Sequence, residues 1–245
     1  MPLYKTKGIV LNTYKLGEAD KIIVLISPER GKIRAVAKGV RKTKSKFGSR
    51  LEPFTFIDLM LYEGKNLDIV NQAEIIDSFK EIRADLNKLK YGSVMLELAD
   101  KVSQENEDSR QVFLLLLNAL KELKTSDEKQ ALLLAIFELK LMSVIGFSPH
   151  IDQCAACGVN TKPGNLFSIK YGGLLCAGCI DRDPAAIPLS NESLNRLPEV
   201  IKATSYSWKD LDISEKSEND ILKLADAFAA YHMDRPINSS KLLGM

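Results

Sequence analysis

The spacing of the apolar residues changes abruptly near residue 78, and this change constrains the fold more than any other feature of the sequence. Before it, apolar and polar residues alternate, as in GKIRAVAKGV, where Ile33, Ala35 and Ala37 fall on one side of the segment. Lys32 and Arg34 fall on the other side, as in a β-strand with one buried face. Five segments of strand character occur without an intervening helix, the first two of them rich in β-branched residues: KGIVLNTY, KIIVLISP, GKIRAVAKGV, FTFIDLMLYEG and NLDIVNQAEII. They predict a small barrel or a tightly coiled sheet.

Beyond residue 78 the apolar residues recur at helical spacing. Ser78 and Glu81 resemble a capping box at the start of this region. Thr125 and Glu128 are predicted to cap a later, Leu-rich helix, which Gly146 would end. Five helices are predicted: DLNKLKYGSVMLELADKVSQ, SRQVFLLLLNALKELK, SDEKQALLLAIFELKLMSVIG, SNESLNRLPEVIKA and ENDILKLADAFAAYHMD. The sequence therefore predicts an α+β, multidomain chain in which the strands precede the helices.

All four cysteines fall in one window, as Cys154 and Cys157, eighteen intervening residues, then Cys176 and Cys179. Two C-x2-C pairs at this separation are typical of a zinc ribbon, in which four thiolates surround one structural Zn²⁺. Two alternatives remain: redox pairs, or two disulfides, although the latter belong to oxidising compartments. His150 lies close in sequence, but the four thiolates already complete a tetrahedral ligand set.

The positive charge is concentrated in RGKIRAVAKGVRKTKSKFGSR, residues 30–50, which holds nine cations and no acid. Residues 1–80 carry 15 Lys and Arg against 9 Asp and Glu, whereas residues 81–245 carry 19 against 23. The net charge of the whole chain is only +2, so the excess lies at the front. This asymmetry predicts an anionic partner at one end of the molecule, with a plain solubilising surface as the alternative.

The motifs of common enzymes and of membrane proteins do not occur in the sequence. Only two histidines are present, and we find no nucleophile elbow, zinc-protease or phosphate-loop motif. No apolar run reaches the roughly 20 residues that a membrane-spanning helix needs. The start, MPLYKTKGIV, lacks the pattern of a signal peptide. We therefore predict a cytoplasmic binding protein that is not an enzyme and has no membrane partner.

Several long motifs resemble one bacterial family. The segments GIVLNTYKLGEADKIIVLISPERGKIRAVAKGVRK, SKFGSRLEPF and LYEGKNLDIVNQAEI are similar to the N-terminal region of the RecO recombination-repair proteins. LLLAIFELKLMSVIGFSPHIDQCAACG, the second C-x2-C pair and YHMDRPINSSKLL resemble the family's last core helix, zinc finger and C-terminal segment. One departure is that Asn238, Ser239 and Ser240 precede Lys241, where the family often has a basic sequence.

The resemblance implies a fold of four parts. These are an oligonucleotide-binding (OB) barrel at residues 1–79, a helical domain at 80–150, an inserted four-cysteine zinc ribbon at 151–182, and the rest of the helical domain at 183–245. It also implies a DNA repair and recombination mediator that anneals complementary strands. With RecR, such a protein helps to load RecA onto single strands coated by the single-strand-binding protein SSB, with RecF and RecA as indirect partners. This implies a place in the bacterial nucleoid.

The resemblance assigns the cation run to single- and double-stranded DNA, because a cationic face on a small barrel can follow a phosphate backbone. Phe47 is expected either to stack on a base or to anchor the loop. The predicted DNA-binding residues are Arg30, Lys32, Arg34, Lys38, Arg41, Lys42, Lys44, Lys46 and Arg50. The acidic tail of SSB is expected to bind near Arg110, Lys121, Lys124, Lys129 and Lys140. Three alternative functions remain: an RNA- or ribosome-associated binding protein, a zinc-dependent enzyme, and a structural adaptor.

Overall fold

The computed structural model describes residues 2–45, 47–160, 164–204, 207–233 and 236–244. The chain divides into two compact units, Met1–Lys124 and Thr125–Met245. The first unit holds a closed five-stranded barrel followed by helices, and the second holds helices and a small sheet. The predicted α+β class, with its barrel, helices and cysteine cluster, is confirmed, while the division into four domains stays a prediction.

The barrel closes in the strand order β1-β2-β3-β5-β4, and β4 pairs back onto β1. All neighbours are antiparallel except β3 and β5, which run parallel through only two registered pairs. A five-stranded barrel of this kind is an architecture that binds oligonucleotides and oligosaccharides. Its strands are β1 (Leu3–Leu16), β2 (Asp20–Ser27), β3 (Gly31–Ala37), β4 (Phe56–Tyr62) and β5 (Asp68–Asp77).

Alternate side chains fill the barrel interior, as the sequence predicts. In β3, Ile33, Ala35 and Ala37 are buried, whereas Arg34 is exposed and Lys32 is half-buried. Burial of a Val, Leu or Ile side chain contributes about 1.5–3 kcal/mol, so every inward residue of each strand helps to fix its register. The interior cluster draws on all five strands and on the loop between β3 and β4.

Helices cover one stretch of the barrel's outer surface. The registered outward residues Phe56, Ile9 and Ile26 form a row there, in which Ile9 and Ile26 are fully buried. The Phe56 ring meets Phe113 edge-on, with ring centroids 5.8 Å apart. Gly92 permits close packing, since a Cβ at this position would lie 2.7 Å from the Phe54 ring. The helices are α1 (Lys80–Ala84), α2 (Leu86–Val102) and α3 (Arg110–Thr125).

The turn between β2 and β3 bonds to the loop between α2 and α3. The Lys32 N–H donates to the Gln104 carbonyl at 2.9 Å, and the Asn106 N–H donates to the Arg30 carbonyl at 3.1 Å. Gly31 has φ +63°, and a Cβ there would lie 2.3 Å from the Gln104 oxygen. Only glycine fits this position, because both the backbone angle and the close contact exclude a side chain. The turn and the loop are therefore held together tightly.

The second unit is organised around α4 (Gln130–Val144), which packs against α5 (Asn191–Lys202) and α6 (Glu215–His232). Eleven of the fifteen residues of α4 are buried, which explains its largely apolar, Leu-rich sequence. A three-stranded sheet in the order β7-β6-β8 joins the helices, formed by β6 (Leu166–Ser168), β7 (Gly173–Leu174) and β8 (Ile187–Pro188). In the described part of the chain, no helix is both long and apolar enough to cross a membrane.

Two predicted helix caps are wrong. The residue before α1 is Phe79 and the residue before α4 is Lys129; both have left-handed backbone angles and neither provides a side-chain cap. Side-chain caps occur instead at Asp85, Ser190 and Ser214, whose oxygens accept backbone N–H groups at the starts of α2, α5 and α6. The predicted end of α4 is confirmed, since the Gly146 N–H bonds back to the Ser143 carbonyl at 3.1 Å.

Candidate metal centre and nucleic-acid interface

The four cysteines converge on one point. The Sγ atoms of Cys154, Cys157, Cys176 and Cys179 all lie within 4.8 Å of one another, and those of Cys157 and Cys176 are 3.8 Å apart. Each pair lies in a tight turn, because the Gly158 N–H donates to the Cys154 carbonyl, and the Cys179 N–H donates to the Cys176 carbonyl. The arrangement fits a metal ion bound by four sulfurs, and all four predicted ligands are brought together.

The surroundings of Cys154 and Cys179 shift the pKa values of the two thiols in opposite directions. Burial raises the pKa of Cys154, but N–H groups of Cys176, Ala156 and Cys157 outweigh it and leave that pKa below its ordinary value. The Cys176 N–H lies 3.3 Å from the Cys154 Sγ. Burial raises the pKa of Cys179, and hydrogen bonds with the other three sulfurs raise it further. Metal binding requires thiolates, so a cation here would displace the proton that Cys179 retains.

The predicted cation run is divided by the barrel into two groups. The first group is neutralised by acids of the same unit. Arg30 lies 3.5 Å from the Glu63 carboxylate and stacks over the Tyr4 ring, with its guanidinium carbon 3.9 Å from the ring centroid. Lys32 forms an ion pair with Asp100 of α2 at 2.8 Å. Each of these two cations already has an acidic partner, so its attraction for an anionic ligand is weaker.

The second group lies at the opposite ends of the strands, beside the loop between β1 and β2. The Arg41 side chain donates to the Gly17 carbonyl at 3.0 Å, and its N–H donates to the Ala19 carbonyl at 2.9 Å. The Gly39 N–H donates to the Asp20 carboxylate at 2.7 Å, which fixes the start of the β3–β4 loop. The loop-end cations, as we call the group, are Lys38, Arg41, Lys42 and Lys44, all of which are exposed.

The loop-end cations have no carboxylate within ion-pair distance among the residues that the structure describes. Arg34 shares this property on the outer face of β3, and Arg50 is exposed nearby in the 3-10 turn Gly48–Leu51. Lys46 lies outside the described residues. The sequence analysis did not predict that Asp20 fixes the start of the β3–β4 loop. The only indication in the sequence was that Asp20 lies two residues after Glu18, at the entry to β2.

Phe47 is not presented to a ligand. Its side chain is 2% exposed and packs in the barrel interior with Leu51 and Val40. The structure therefore favours the anchoring alternative over base stacking, because a stacked base needs an exposed ring. The apolar anchor explains how a loop dense in cations keeps a defined position.

Substituting Phe47 by Leu should lower the free energy of unfolding by about 1 kcal/mol, because a smaller side chain leaves a void in the interior. The salt dependence of DNA binding should not change. Chemical denaturation and a binding titration would measure the two effects, with Ser49→Ala in the same exposed turn as the control. Unaltered stability together with weaker single-strand binding would return Phe47 to the base-stacking hypothesis.

The residues predicted for the SSB tail belong to both compact units: Arg110, Lys121 and Lys124 to the first, and Lys129 and Lys140 to the second. Lys124 contacts the carboxylates of Asp77 at 3.0 Å and Glu81 at 3.7 Å, and its hydrogen bond with Asp77 raises the pKa of Lys124. Lys129 donates to the Leu211 carbonyl at 2.7 Å. Burial lowers the pKa of Lys140. Arg110 and Lys121 are exposed in the first unit.

A closed five-stranded barrel with a cationic loop and a four-cysteine cluster that could hold a metal ion are features typical of nucleic-acid-binding proteins. The family described as Recombination protein O N terminal matches residues 1–79, and Recombination protein O C terminal matches residues 83–241. The chain belongs to the RecO family of DNA repair and recombination proteins.

Relatives match along nearly the whole chain. The DNA repair protein RecO of Nocardioides sp. is 39% identical over 242 residues, covering 97% of both chains. That of Bifidobacterium adolescentis is 37% identical over 250 residues, covering 99% of this chain and 100% of its own. That of Thermobifida fusca is 36% identical over 251 residues, covering 99% of both. The predicted family is confirmed, and the family's role in DNA repair applies to the chain.

Proposed function

We propose that the chain binds DNA through the loop-end cations, anneals complementary single strands, and works with RecR to load RecA onto SSB-coated strands. The observation that carries this proposal is the set Lys38, Arg41, Lys42 and Lys44, exposed together at one end of the barrel without acidic partners among the described residues. Unpaired cations repel one another, and phosphates relieve that repulsion with release of counterions. Arg34 and Arg50 extend the same surface.

Phosphate contacts of this kind suit annealing. They neutralise both strands without reading their sequence, so any two complementary strands can be brought together. The bases stay free to pair, because lysine and arginine side chains bind the backbone. The protein thus performs no bond-making step, and we propose that it acts as a mediator and not as an enzyme. Its place of action would be the bacterial cytoplasm, on the DNA of the nucleoid.

The four cysteines are proposed to hold one structural Zn²⁺. A tetrahedral ion with Zn–S bonds of about 2.3 Å separates its ligands by about 3.8 Å, and the Cys157 and Cys176 sulfurs are 3.8 Å apart. When bound, the ion cross-links the two turns and leaves no open coordination position for chemistry. The backbone N–H group of Cys176 stabilises the Cys154 thiolate through the hydrogen bond described above.

The remaining partners are proposed from the family. RecR would join the chain in the mediator, RecF and RecA would act with it indirectly, and the acidic SSB tail would bind the helical part. For the tail, Lys121 and Arg110 are exposed, whereas Lys124 and Lys129 are half-buried. We therefore propose that the two exposed cations contribute more to tail binding than the two half-buried ones.

An annealing assay tests the proposal. Complementary single strands, each coated with SSB, are mixed with the protein, and duplex formation is followed by fluorescence quenching. We expect annealing faster than in SSB alone, with a rate that falls as salt rises, because phosphate contacts release counterions. A rate equal to that of SSB-coated strands alone, in protein that still binds naked DNA, would contradict the mediator role.

The same annealing assay, together with a binding titration, distinguishes a DNA-binding from an RNA-binding function. A DNA strand and an RNA strand of equal length and sequence are compared at one salt concentration. We expect productive annealing with DNA, in keeping with the family. Tight binding and annealing of RNA with little activity on DNA would instead favour the RNA-associated alternative.

A further inference from the structure

The four sulfurs of the cysteine centre differ in their access to solvent. Cys154 and Cys179 are 1% and 3% exposed, and both pack with the fully buried Leu175 in a small apolar cluster. By contrast, Cys176 is half-buried and Cys157 is exposed. We call Cys154 and Cys179 the inner pair, and Cys157 and Cys176 the outer pair. A small reagent dissolved in water therefore reaches the outer pair first.

The outer pair joins the two turns of the centre. Cys157 ends the first C-x2-C turn, Cys176 begins the second, and their Sγ atoms are 3.8 Å apart. A disulfide bond is about 2.05 Å long, so the two sulfurs need to approach each other by only about 1.8 Å. The two side chains are thus close enough for a bond across the turns.

The surroundings of the outer pair leave it open to a reagent. The residues that follow its members, Gly158 and Ala177, are small and exposed, and so is Gly178. In the described part of the chain, a Cβ at Gly158 or at Gly178 would meet no atom within 4 Å, apart from its own neighbours in sequence. No bulky side chain therefore covers these two turns, and both have room to adjust.

A disulfide within either C-x2-C pair is less favourable than one across the turns. Each motif contains one inner and one outer sulfur, so a bond within a motif would need a buried partner. The Cys154 Sγ also accepts the Cys176 N–H at 3.3 Å, which holds it in place. Only the bond across the turns uses two sulfurs that are both open to solvent.

We propose that the outer pair is an oxidation site, at which hydrogen peroxide converts the Cys157 and Cys176 thiolates into a disulfide and the metal ion is released. The inference rests on the proposed four-cysteine zinc site. It adds to that site a chemical modification and an order of reactivity among the four ligands. Exposed thiolates are the cysteine form that peroxides oxidise.

The reaction proceeds in two steps. The Cys157 thiolate attacks one peroxide oxygen, so that a sulfur–oxygen bond forms, the oxygen–oxygen bond breaks and hydroxide leaves. The Cys176 thiolate then attacks the oxidised sulfur, so that the disulfide forms, the sulfur–oxygen bond breaks and a second hydroxide leaves. The two sulfurs together lose two electrons, and one peroxide, with two protons from solvent, becomes two water molecules.

The disulfide has a specific consequence for the module. A structural zinc ion needs four protein ligands, and oxidation leaves only the inner pair to bind it, so the ion is lost. The new bond nevertheless joins the same two turns that the ion joined. We therefore expect the oxidised module to remain cross-linked, and to recover its metal when a dithiol reduces the bond.

The test treats the zinc-loaded full chain with hydrogen peroxide. Zinc release is followed with a metal-sensitive dye, and disulfides are mapped by mass spectrometry without reduction. Trypsin cuts after Lys140, Lys170 and Arg182, which places the two motifs in separate peptides, residues 141–170 and 171–182. The zinc content should fall from about one ion per chain to nearly none, and the two peptides should become linked through the outer pair. Dithiothreitol with added zinc should restore the metal.

Two variants test the order of reactivity. Cys157→His removes the exposed thiolate but keeps four ligands, because three cysteines and one histidine are a common structural zinc set. We expect it to retain its metal at a peroxide dose that empties the parent chain. Cys154→His changes an inner ligand, leaves the outer pair intact and is the matched control, which should release its metal like the parent. The peptide map of the parent chain decides the pairing even where a variant does not bind metal.

The outcomes separate this inference from the zinc site on which it rests. Disulfides confined to single peptides would overturn the bond across the turns, and so would Cys157 oxidised to sulfinic acid without any disulfide. Zinc that stays bound while all four thiols remain reduced would overturn the oxidation site and leave the zinc site standing. A parent chain that binds no zinc even when reduced would refute the zinc site itself.

Discussion

Replacing Lys38, Arg41, Lys42 and Lys44 together by alanine is expected to weaken single-stranded DNA binding about 100-fold at roughly 0.15 M salt. Each lysine or arginine that neutralises a phosphate on a single strand contributes a slope of roughly −0.7 to the plot of log affinity against log salt. Four lost contacts therefore reduce the slope by about three units. The affinity should fall alike for every sequence, because phosphate contacts carry no base information. Fluorescence anisotropy at several salt concentrations measures both quantities.

A charge-matched control separates position from net charge. Lys202, Lys209, Lys216 and Lys223 are four exposed cations of the second unit, and their replacement by alanine removes the same total charge. We expect this variant to lose much less affinity and to keep most of the slope. Equal losses in the two variants would mean that only the overall charge matters. An unaltered slope in the loop-end variant would move the DNA site away from this end of the barrel.

Replacing Cys179 by serine should abolish stoichiometric metal binding, from about one ion per chain to nearly none. Serine keeps the size of the side chain but removes a thiolate, and structural zinc sites in small peptides contribute about 10–16 kcal/mol of apparent binding free energy. Residues 151–182 should then lose protection against amide hydrogen exchange. The barrel strands should keep theirs, because they belong to the other compact unit. Elemental analysis and exchange measured by mass spectrometry give the two readouts.

His150→Ala is the control for this substitution. His150 is exposed and lies four residues before Cys154, but the four sulfurs form a complete ligand set without it. We expect this variant to retain its metal. Loss of metal from His150→Ala, or a parent chain that contains none after gentle purification, would contradict the proposed four-cysteine zinc site.

Periodic features could be predicted from the sequence, and features that depend on one contact could not. The first two strands follow from their β-branched residues and the third from alternation, because both are local properties of the sequence. The cysteine centre follows from spacing, since each C-x2-C pair needs only its own local turn. The caps of α1 and α4 failed because Phe79 and Lys129 adopt left-handed angles that the local sequence does not indicate. Tertiary packing determines such single angles.

The run of cations at residues 30–50 likewise shows that contacts between residues distant in sequence could not be predicted. The sequence places nine like charges side by side and suggests one uniform surface. In the fold, Glu63 and Asp100, which are distant in sequence, neutralise Arg30 and Lys32, while the loop-end cations keep their charge. Phe47 likewise turns inward, which no neighbour in the sequence predicts.

The helices that cover the row of Phe56, Ile9 and Ile26 have a practical consequence for isolating the barrel. A fragment that stops at residue 79 would present this apolar row to water and would also lose Asp100, the partner of Lys32. Exposed apolar surface of that kind promotes aggregation during expression. A fragment that ends at Lys124 keeps α1, α2 and α3 and coincides with the compact unit. We therefore expect residues 1–124 to be a better fragment than residues 1–79 for crystallisation or NMR with oligonucleotides, although the last barrel strand ends at Asp77.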